Sequence, residues 1–545
     1  MSPSAARWAT LAVVLVVSCF WQLSVPASAD PGWFDAGRHA LDGAFMLDSI
    51  RSGAIVHPMQ AAIDYYSRYP AIAPAIYPPG FSLLEAVFFA IFGVHAWVAR
   101  LTVTFCIAVG ALGSARLASD MRGPTAAPLA ALLYFVPPLL VRWGRDVMLE
   151  PMAAAAVVWS LVYARRFLVD ASTRSLLFSL AIACVAPYAK QNFGIVFVML
   201  GVLPLAAGQP RRLAEGRVWL GVLGCLVVGV PLAYVTFRWG MFNLEQAFSQ
   251  LETRTLTLWE HVSFHIVWLP DVLGWPLLAL AVAGLAVLWR HRGEPEGRLN
   301  LAVALVWLGV SYLTLTSLVK EPRHQLVWTP LAATLGGIAF AELGRLNRSA
   351  LAAAAVAGAA MFGWSLSQGR PLWCERLDEP VRWLEANPED GSAILTSIEG
   401  VGSLVFRVRS EDTERRMRVY RSDKVFESRM INPHWDVVSR VENAEAIKRA
   451  FSLYGIRFMV LQPELRGFTE VEQMLLELAA SDDFEPVAQF DVACPIHPAH
   501  EQFQQVEYAL SIYRFRGELA EAVQIPSLAL PIADIETRAV LNPDD

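Results

Sequence analysis

Long apolar runs broken by short arginine-bearing turns fill the first two thirds of the chain, and that spacing predicts membrane-spanning helices. The runs fall at about 8–28, 98–118, 124–141, 151–168, 175–190, 191–207, 218–237, 265–289, 299–318, 326–342 and 349–366. Several are shorter than the ~20 residues a perpendicular helix needs. Residues 175–207 read as a hairpin of short helices meeting near Lys190. Lys and Arg collect in cytoplasmic loops. Here they mark Arg116–Arg122, Arg165–Arg174, Arg211–Arg217, Arg290–Arg298 and Arg345–Arg348, at every second turn between runs. That regularity predicts about eleven transmembrane helices with the C-terminal part outside. The count requires the run Phe81–Phe92, led by Pro78-Pro79, to lie at the interface or dip in part-way. Pro suits such a helix start because its φ is fixed and its missing N–H is not needed there. The first run ends in Ala27-Ser28-Ala29, a pattern shared by uncleaved helices and cleaved leaders. An uncleaved first helix is the reading adopted, and either case puts residue 30 outside.

Beyond Pro371 the periodicity changes. Val381-Arg382-Trp383-Leu384-Glu385 and Glu470–Ala480 have helical spacing, while Ala393–Ser397, Arg457–Leu461 and Ser511–Phe515 read as strands. The expected organisation is a transmembrane domain over 1–366, with a first outer loop at about 29–97, and an extracytoplasmic α/β domain over 367–545.

Composition agrees with a polytopic membrane protein. The 545 residues are 55% hydrophobic and 17% charged, with a mean hydropathy of +0.41; soluble domains carry about a quarter charged residues. The net charge is -6, with most acids after residue 370, and nothing in this pattern points to nucleic acid. Cys19, Cys106, Cys184 and Cys225 lie in apolar runs and read as packed thiols, whereas Cys374 and Cys494 lie in the polar C-terminal part, where an oxidising compartment would permit a bridge.

Ionisable residues at the mouths of spans are costly and therefore functional candidates. Asp35 follows the first apolar run, with Arg38 and His39 close behind; Arg145, Asp146 and Glu150 precede another. In a continuous helix Arg142, Asp146 and Glu150 would share a face at four-residue spacing, and Pro151 would open the next helix with Glu150 near its positive end. Lys190 interrupts an apolar stretch, and Lys320-Glu321-Pro322-Arg323-His324 sets basic residues on the side expected to lack them. Each segment also has an ordinary structural explanation: a capping acid at Asp35 or Glu150, a snorkelling Lys190, a simple turn at Pro78-Pro79.

Taken in order, Phe34-Asp35-Ala36-Gly37-Arg38-His39, Tyr77-Pro78-Pro79, Arg145–Pro151, Lys190 and Lys320–His324 resemble polyprenyl-phosphate-dependent glycosyltransferases of the GT-C fold. The resemblance is to glycosyltransferase family 39, which includes bacterial aminoarabinose lipid A transferases and protein O-mannosyltransferases, and it covers about residues 8–345. It implies that Asp35 is the first-loop acid and Glu150 the second, usually Asp. Arg38 and Arg145 match arginines of the same motifs, Lys190 matches the lysine of a Thr-Lys-Gly segment, and Arg323-His324 stands where the family has Arg-Tyr. Ala36 and His39 replace the Glu and Tyr that usually follow the first acid, and Tyr77 replaces a Lys or His before the Pro-Pro pair.

The implied activity is transfer of a hexosyl or pentosyl group from a polyprenyl-phosphate-linked sugar to an acceptor hydroxyl or phosphate on a lipid, protein or glycan. It would take place at the outer face of a bacterial inner membrane, with inversion. Asp35 and Glu150 are the expected catalytic pair, Asp35 as general base. Arg38, His39, Tyr77, Arg145, Asp146, Lys190, Lys320, Arg323 and His324 are the expected substrate contacts, with the cations of Lys190, Lys320 and Arg323 on the departing phosphate. No cofactor is required. Two acids at span mouths leave room for a divalent cation, although no Asp-x-Asp occurs and no His or Cys cluster has ligand spacing. The rival readings are a lipid or solute transporter or flippase, which should show repeated halves with broken helices, and a non-catalytic envelope assembly protein.

Overall fold

Among the described residues, seven helices are long and apolar enough to cross a bilayer by length and composition: Pro3–Leu23, Ala96–Arg122, Glu150–Asp170, Gly216–Arg238, Gly297–Thr316, Pro322–Arg345 and Ser349–Ser367. The computed structural model describes residues 1–32, 34–74, 76–239, 257–316, 321–368, 372–389, 393–427, 439–463, 469–496, 504–521, 523–524 and 526. The chain is a multi-pass membrane protein. Two expected spans are broken by residues that cannot continue a helix. The run 124–141 divides into Ala126–Tyr134 and Pro138–Trp143, because Pro137 and Pro138 supply no N–H to the ladder. The run 265–289 bends by 110° between Trp259–Leu273 and Trp275–Arg290; Gly274 at the bend has φ +78, open to glycine but strained for other residues. Shorter apolar helices cover Gly80–Phe92, Thr173–Ala189 and Gln191–Ala206. The last two meet at Lys190, whose backbone is extended. The helix Gly80–Phe92 has 13 residues, fewer than the ~20 of a perpendicular span.

The residues divide into two compact units: Met1–Val25, Ala75–Phe81 and Arg100–Gly369, and Pro26–Pro74, Ser82–Ala99 and Arg370–Asp545. This differs from the expected organisation, since most of the first outer loop clusters with the C-terminal residues rather than with the transmembrane helices.

In the first unit, helices approach through small residues, as membrane packing favours. A Cβ on Gly284 would lie 2.0 Å from Leu335 O, and one on Gly337 would lie 2.7 Å from Ala130 Cβ. The helix Pro3–Leu23 is seated by Trp21, which is buried, donates from Nε1 to Gly144 O at 3.1 Å and meets the rings of Phe135 and Phe362. The arginine-bearing turns gather at one end. Arg122 pairs with Glu294 and Glu342, each at 3.1 Å, Arg165 donates to Asn300 Oδ1 at 2.7 Å, and Arg217 donates to Ala171 O at 2.7 Å. Their convergence on one end is the arrangement that the loop charges predict.

The second unit is built on a five-stranded sheet. Its strands are β3 (Ala393–Ser397), β4 (Arg418–Arg421), β5 (Ile456–Leu461), β6 (Phe484–Ile496) and β7 (Gln504–Phe515), in the order β4-β3-β5-β7-β6. β3 runs parallel to β4 and β5, whereas β7 is antiparallel to both β5 and β6. Every residue of β3 is buried, as expected of a strand covered on both faces.

Residues of the first loop complete this unit. β1 (Asp30–Pro31) pairs antiparallel with β2 (Trp373–Cys374). The buried Asp30 pairs with Arg407 at 2.9 Å, and the buried Asp48 accepts two bonds from Arg409, at 2.9 and 2.8 Å. Gly37 lets the helix Phe34–Ser52 come so close to the helix Val401–Glu411 that a Cβ there would lie 2.5 Å from Ser403 N. The edge strand β4 is covered, with Val419 N–H donating to Arg68 O at 3.0 Å. Cys374 and Cys494 form a disulfide that closes 120 residues. The remaining four cysteines form no disulfide.

Candidate active site

Glu150 is the fully buried first residue of the helix Glu150–Asp170, where the helix dipole favours an anion. Pro151 follows it and costs no hydrogen bond at that position. Glu150 Oε1 accepts from Lys190 Nζ and lies 3.8 Å from Arg323 Nε. Lys190 is delivered by the break between two short helices, and Arg323 by the tight turn Pro322–Trp328 that leads into the next helix. Arg323 also donates to Glu321 and lies over the Trp143 ring at 5.9 Å, while His324 Nε2 is 4.0 Å from Glu321 Oε2. Three of the expected residues, Glu150, Lys190 and Arg323, therefore come together within the first unit. Lys320 lies outside the described residues.

The supporting contacts hold this cluster from behind. His265 Nε2 faces Leu315 O at 2.9 Å, and a carbonyl can only accept, so Nε2 carries the proton. Nδ1 then accepts from Gln325 Nε2 at 2.8 Å. The buried His265–Gln325 pair thereby fixes the turn that carries Arg323. Gln191 Nε2 donates to Ile76 O at 3.0 Å, which ties the segment before the partly exposed Tyr77 to the turn after Lys190. Among the described residues, Glu150 Oε2, Asn192 Oδ1, His324 Nδ1 and Gln325 Oε1 are buried without a hydrogen-bond partner. Each such atom costs about 1–3 kcal/mol, and all four belong to the segments that form the cluster.

Arg145 and Asp146 precede Glu150, but the segment Gly144–Leu149 is not helical. The four-residue spacing of Arg142, Asp146 and Glu150 thus lacks the shared-face geometry that a continuous helix would give. Asp146 Oδ1 instead accepts the N–H of Val147 at 2.9 Å, and Arg145 Nε donates to Val141 O at 2.9 Å.

Asp35, Arg38 and His39 belong to the second unit. Asp35 sits in the first turn of the helix Phe34–Ser52, 3.9 Å from Arg38, with side-chain exposures of 15% and 16%; His39 is buried. One turn on, Asp42 is buried and accepts from Ala73 N–H at 2.8 Å. Burial pushes its carboxyl up to about 7, with the Ala73 bond and the Arg38 charge pulling the other way. Glu85 is fully buried against Gly43, and both its oxygens lack a hydrogen-bond partner. Burial first, and then the Asp42 charge, hold it well above the usual carboxylate range.

The sequence reading did not single out Glu321, the His265–Gln325 pair, Asp42 or Glu85 as site residues. A carboxylate inside the apolar run Phe81–Phe92 was a usable signal for Glu85. Glu321 stood between two expected cations. Among the described residues, no three His, Cys, Asp or Glu side chains gather as metal ligands do.

Residues 77–235 match a family model described as dolichyl-phosphate-mannose-protein mannosyltransferase. No curated protein matches the chain in sequence. Among solved structures, apo ArnT from Cupriavidus metallidurans matches with a TM-score of 0.61 at 17% identity, covering 93% of this chain and 98% of that one. The same enzyme bound to undecaprenyl phosphate gives a TM-score of 0.58 at 16% identity, again covering 93% and 98%. The archaeal oligosaccharyltransferase AglB from Archaeoglobus fulgidus, in complex with an inhibitory peptide and a dolichol-phosphate, gives 0.50 at 11% identity, covering 92% of this chain and 74% of that one. The chain thus has the fold of ArnT, the GT-C fold of polyprenyl-phosphate-dependent glycosyltransferases that its sequence resembles.

Proposed function

We propose that this chain is a glycosyltransferase that moves a sugar from a polyprenyl phosphate to an acceptor hydroxyl or phosphate at the outer face of a bacterial inner membrane, with its C-terminal residues on that face. The observation that carries the reading is the buried Glu150 holding Lys190 and Arg323 side by side. Two fixed cations suit a phosphate that gains charge as it departs, because they need no reorganisation at the moment of reaction. The buried polar atoms around them offer further contacts to the donor head group. ArnT has been solved with undecaprenyl phosphate and AglB with a dolichol-phosphate, which favours a donor whose long tail stays in the bilayer.

In this mechanism the acceptor oxygen attacks the anomeric carbon from the face opposite the phosphate. The bond from that carbon to the phosphate oxygen breaks, its electron pair stays on the phosphate, and the configuration inverts. The acceptor proton passes to the Asp35 carboxylate, which has Arg38 3.9 Å away. Glu150 acts as a positioning residue for the two cations. Arg145, Tyr77, His39 and His324 contribute to the walls of the donor and acceptor sites.

The test is purified protein in detergent with a polyprenyl-phosphate sugar and a panel of lipid, peptide and glycan acceptors, following release of polyprenyl phosphate. Turnover is expected in the parent, and Asp35→Asn is expected to abolish it with folding and insertion unchanged. A fully active Asp35→Asn variant removes the base from the mechanism, and a parent that consumes no lipid-linked sugar removes the transferase reading in favour of transport or assembly.

A further inference from the structure

The second unit carries a polar pocket that shares no residue with the Glu150 cluster. Its volume is about 310 Å³, the low end of the range of small-ligand sites. Its polar lining includes Asp48, Asp64, Arg68, Tyr69, Arg415 and Arg418, with the hydroxyls of Ser49, Ser52, Tyr65 and Ser67, and Ala54 and Ala61 complete it. The charges do not cancel locally. Asp48 is occupied by Arg409 at 2.9 and 2.8 Å, by Arg415 at 2.5 Å and by the Tyr65 hydroxyl at 3.2 Å. Asp64 accepts from Gln60 at 2.8 Å. Arg68 donates to Arg415 O, and the three arginines of the lining, Arg68, Arg415 and Arg418, outnumber its two acids, Asp48 and Asp64, by one charge. Tyr69 is 1% exposed, and its hydroxyl is buried with no hydrogen-bond partner, in a position influenced by the charges of Arg409, Asp412, Arg68 and Arg415. Its ring lies 5.2 Å from that of Tyr65.

We propose that this pocket binds an anionic saccharide, a sugar ring bearing a phosphate or carboxylate group. Arginine forks match either anion with paired N–H donors. The partly exposed Tyr65 ring offers an apolar edge to a sugar, and the serine hydroxyls and Asp64 complement its hydroxyl groups. The Tyr69 hydroxyl supplies one further donor, whose only gain comes when a ligand accepts from it. The lining comes from the early segment Asp48–Tyr69 and the late segment Arg415–Arg418, both locked into the same unit by the Asp48 pairs. The site is therefore preformed rather than assembled on binding.

The test is calorimetric titration of the full-length protein in detergent with glucose 1-phosphate, glucuronate, glucose and inorganic phosphate. Both anionic sugars are expected to bind at least about tenfold more tightly than glucose or inorganic phosphate, and Tyr69→Phe and Arg68→Gln are each expected to weaken that binding about tenfold. Tyr69→Phe is also expected to unfold at or above the parent temperature, because it deletes a hydroxyl that has no partner in the free protein. Failure of both anionic sugars to bind overturns the proposal. Inorganic phosphate binding as tightly as the sugars reduces the site to a bare anion site and overturns the saccharide assignment. Unchanged affinity in Tyr69→Phe, Arg68→Gln and Arg418→Gln alike places the binding elsewhere and also overturns it. None of these readouts uses transferase turnover.

Discussion

Replacing Lys190 by Met should strip Glu150 of its closest cation and leave a fully buried carboxylate with Arg323 Nε at 3.8 Å. At about 4 Å and an effective dielectric near 20, one such pair is worth about 4 kcal/mol before desolvation is charged against it. Removing one partner of a buried pair costs about 3–5 kcal/mol. The lower end applies here, because the Lys190 side chain is 13% exposed and Arg323 remains. Glu150→Gln acts in the opposite sense, leaving two cations that repel. The double variant removes both faults, so its loss of stability should be smaller than the sum of the single losses by about 1–3 kcal/mol. Thermal unfolding in detergent, followed by tryptophan fluorescence, measures this coupling, and transfer from a polyprenyl-phosphate sugar measures the consequence for chemistry. Each single variant should lose about 100- to 1000-fold in rate. The double variant should regain that part of the stability but not transfer, because the cation meant for the phosphate is still missing. Additive stability losses would refute the ion-pair reasoning, and transfer that returns together with stability would reduce Lys190 to a structural residue.

Three further outcomes follow from the geometry. Serine at Cys374 and Cys494 together should cost about 2–5 kcal/mol, since the bridge closes a 120-residue loop; urea unfolding of the C-terminal unit, monitored with and without reductant, checks this. Asp42, raised from 3.8 to about 7, binds a proton in the folded state that the unfolded chain has released between those values. Stability should accordingly fall as pH rises from about 4 to about 7, by up to roughly 4 kcal/mol, and Asp42→Asn should flatten the profile of unfolding temperature against pH. Valine at Gly284 should cost about 1–3 kcal/mol or more by overpacking, because even a Cβ there would lie 2.0 Å from Leu335 O; a variant with the parent's unfolding temperature would show that the two helices can part freely.

The membrane class and the Glu150, Lys190 and Arg323 cluster were legible because ionisable side chains at the ends of apolar runs are costly, and turn counting put these three on one side. Helix breaks were harder to read. Pro137-Pro138 and Gly274 sit inside runs whose apolar composition alone reads as continuous, and only backbone chemistry reveals the interruption. In the C-terminal part, β3, β5 and the helix Glu470–Ala479 followed from their periodicity. β4 was missed because its four residues, Arg418-Val419-Tyr420-Arg421, include two arginines, and one of them reaches back to Pro70 O at 3.3 Å. The assignment of the first loop to the C-terminal unit was out of reach. Asp30 with Arg407, and Asp48 with Arg409, are pairings across most of the chain and leave no local signature.

The Asp30–Arg407 pair joins residues 377 positions apart. A ribosome adding about 5–20 residues per second therefore keeps Asp30 waiting roughly 20–75 s for its partner, while helix after helix is threaded into the membrane behind it. Until then the first loop has neither its strand partner nor its arginines. The unit that residues 26–74 share with the C-terminal residues can therefore close only near the end of synthesis.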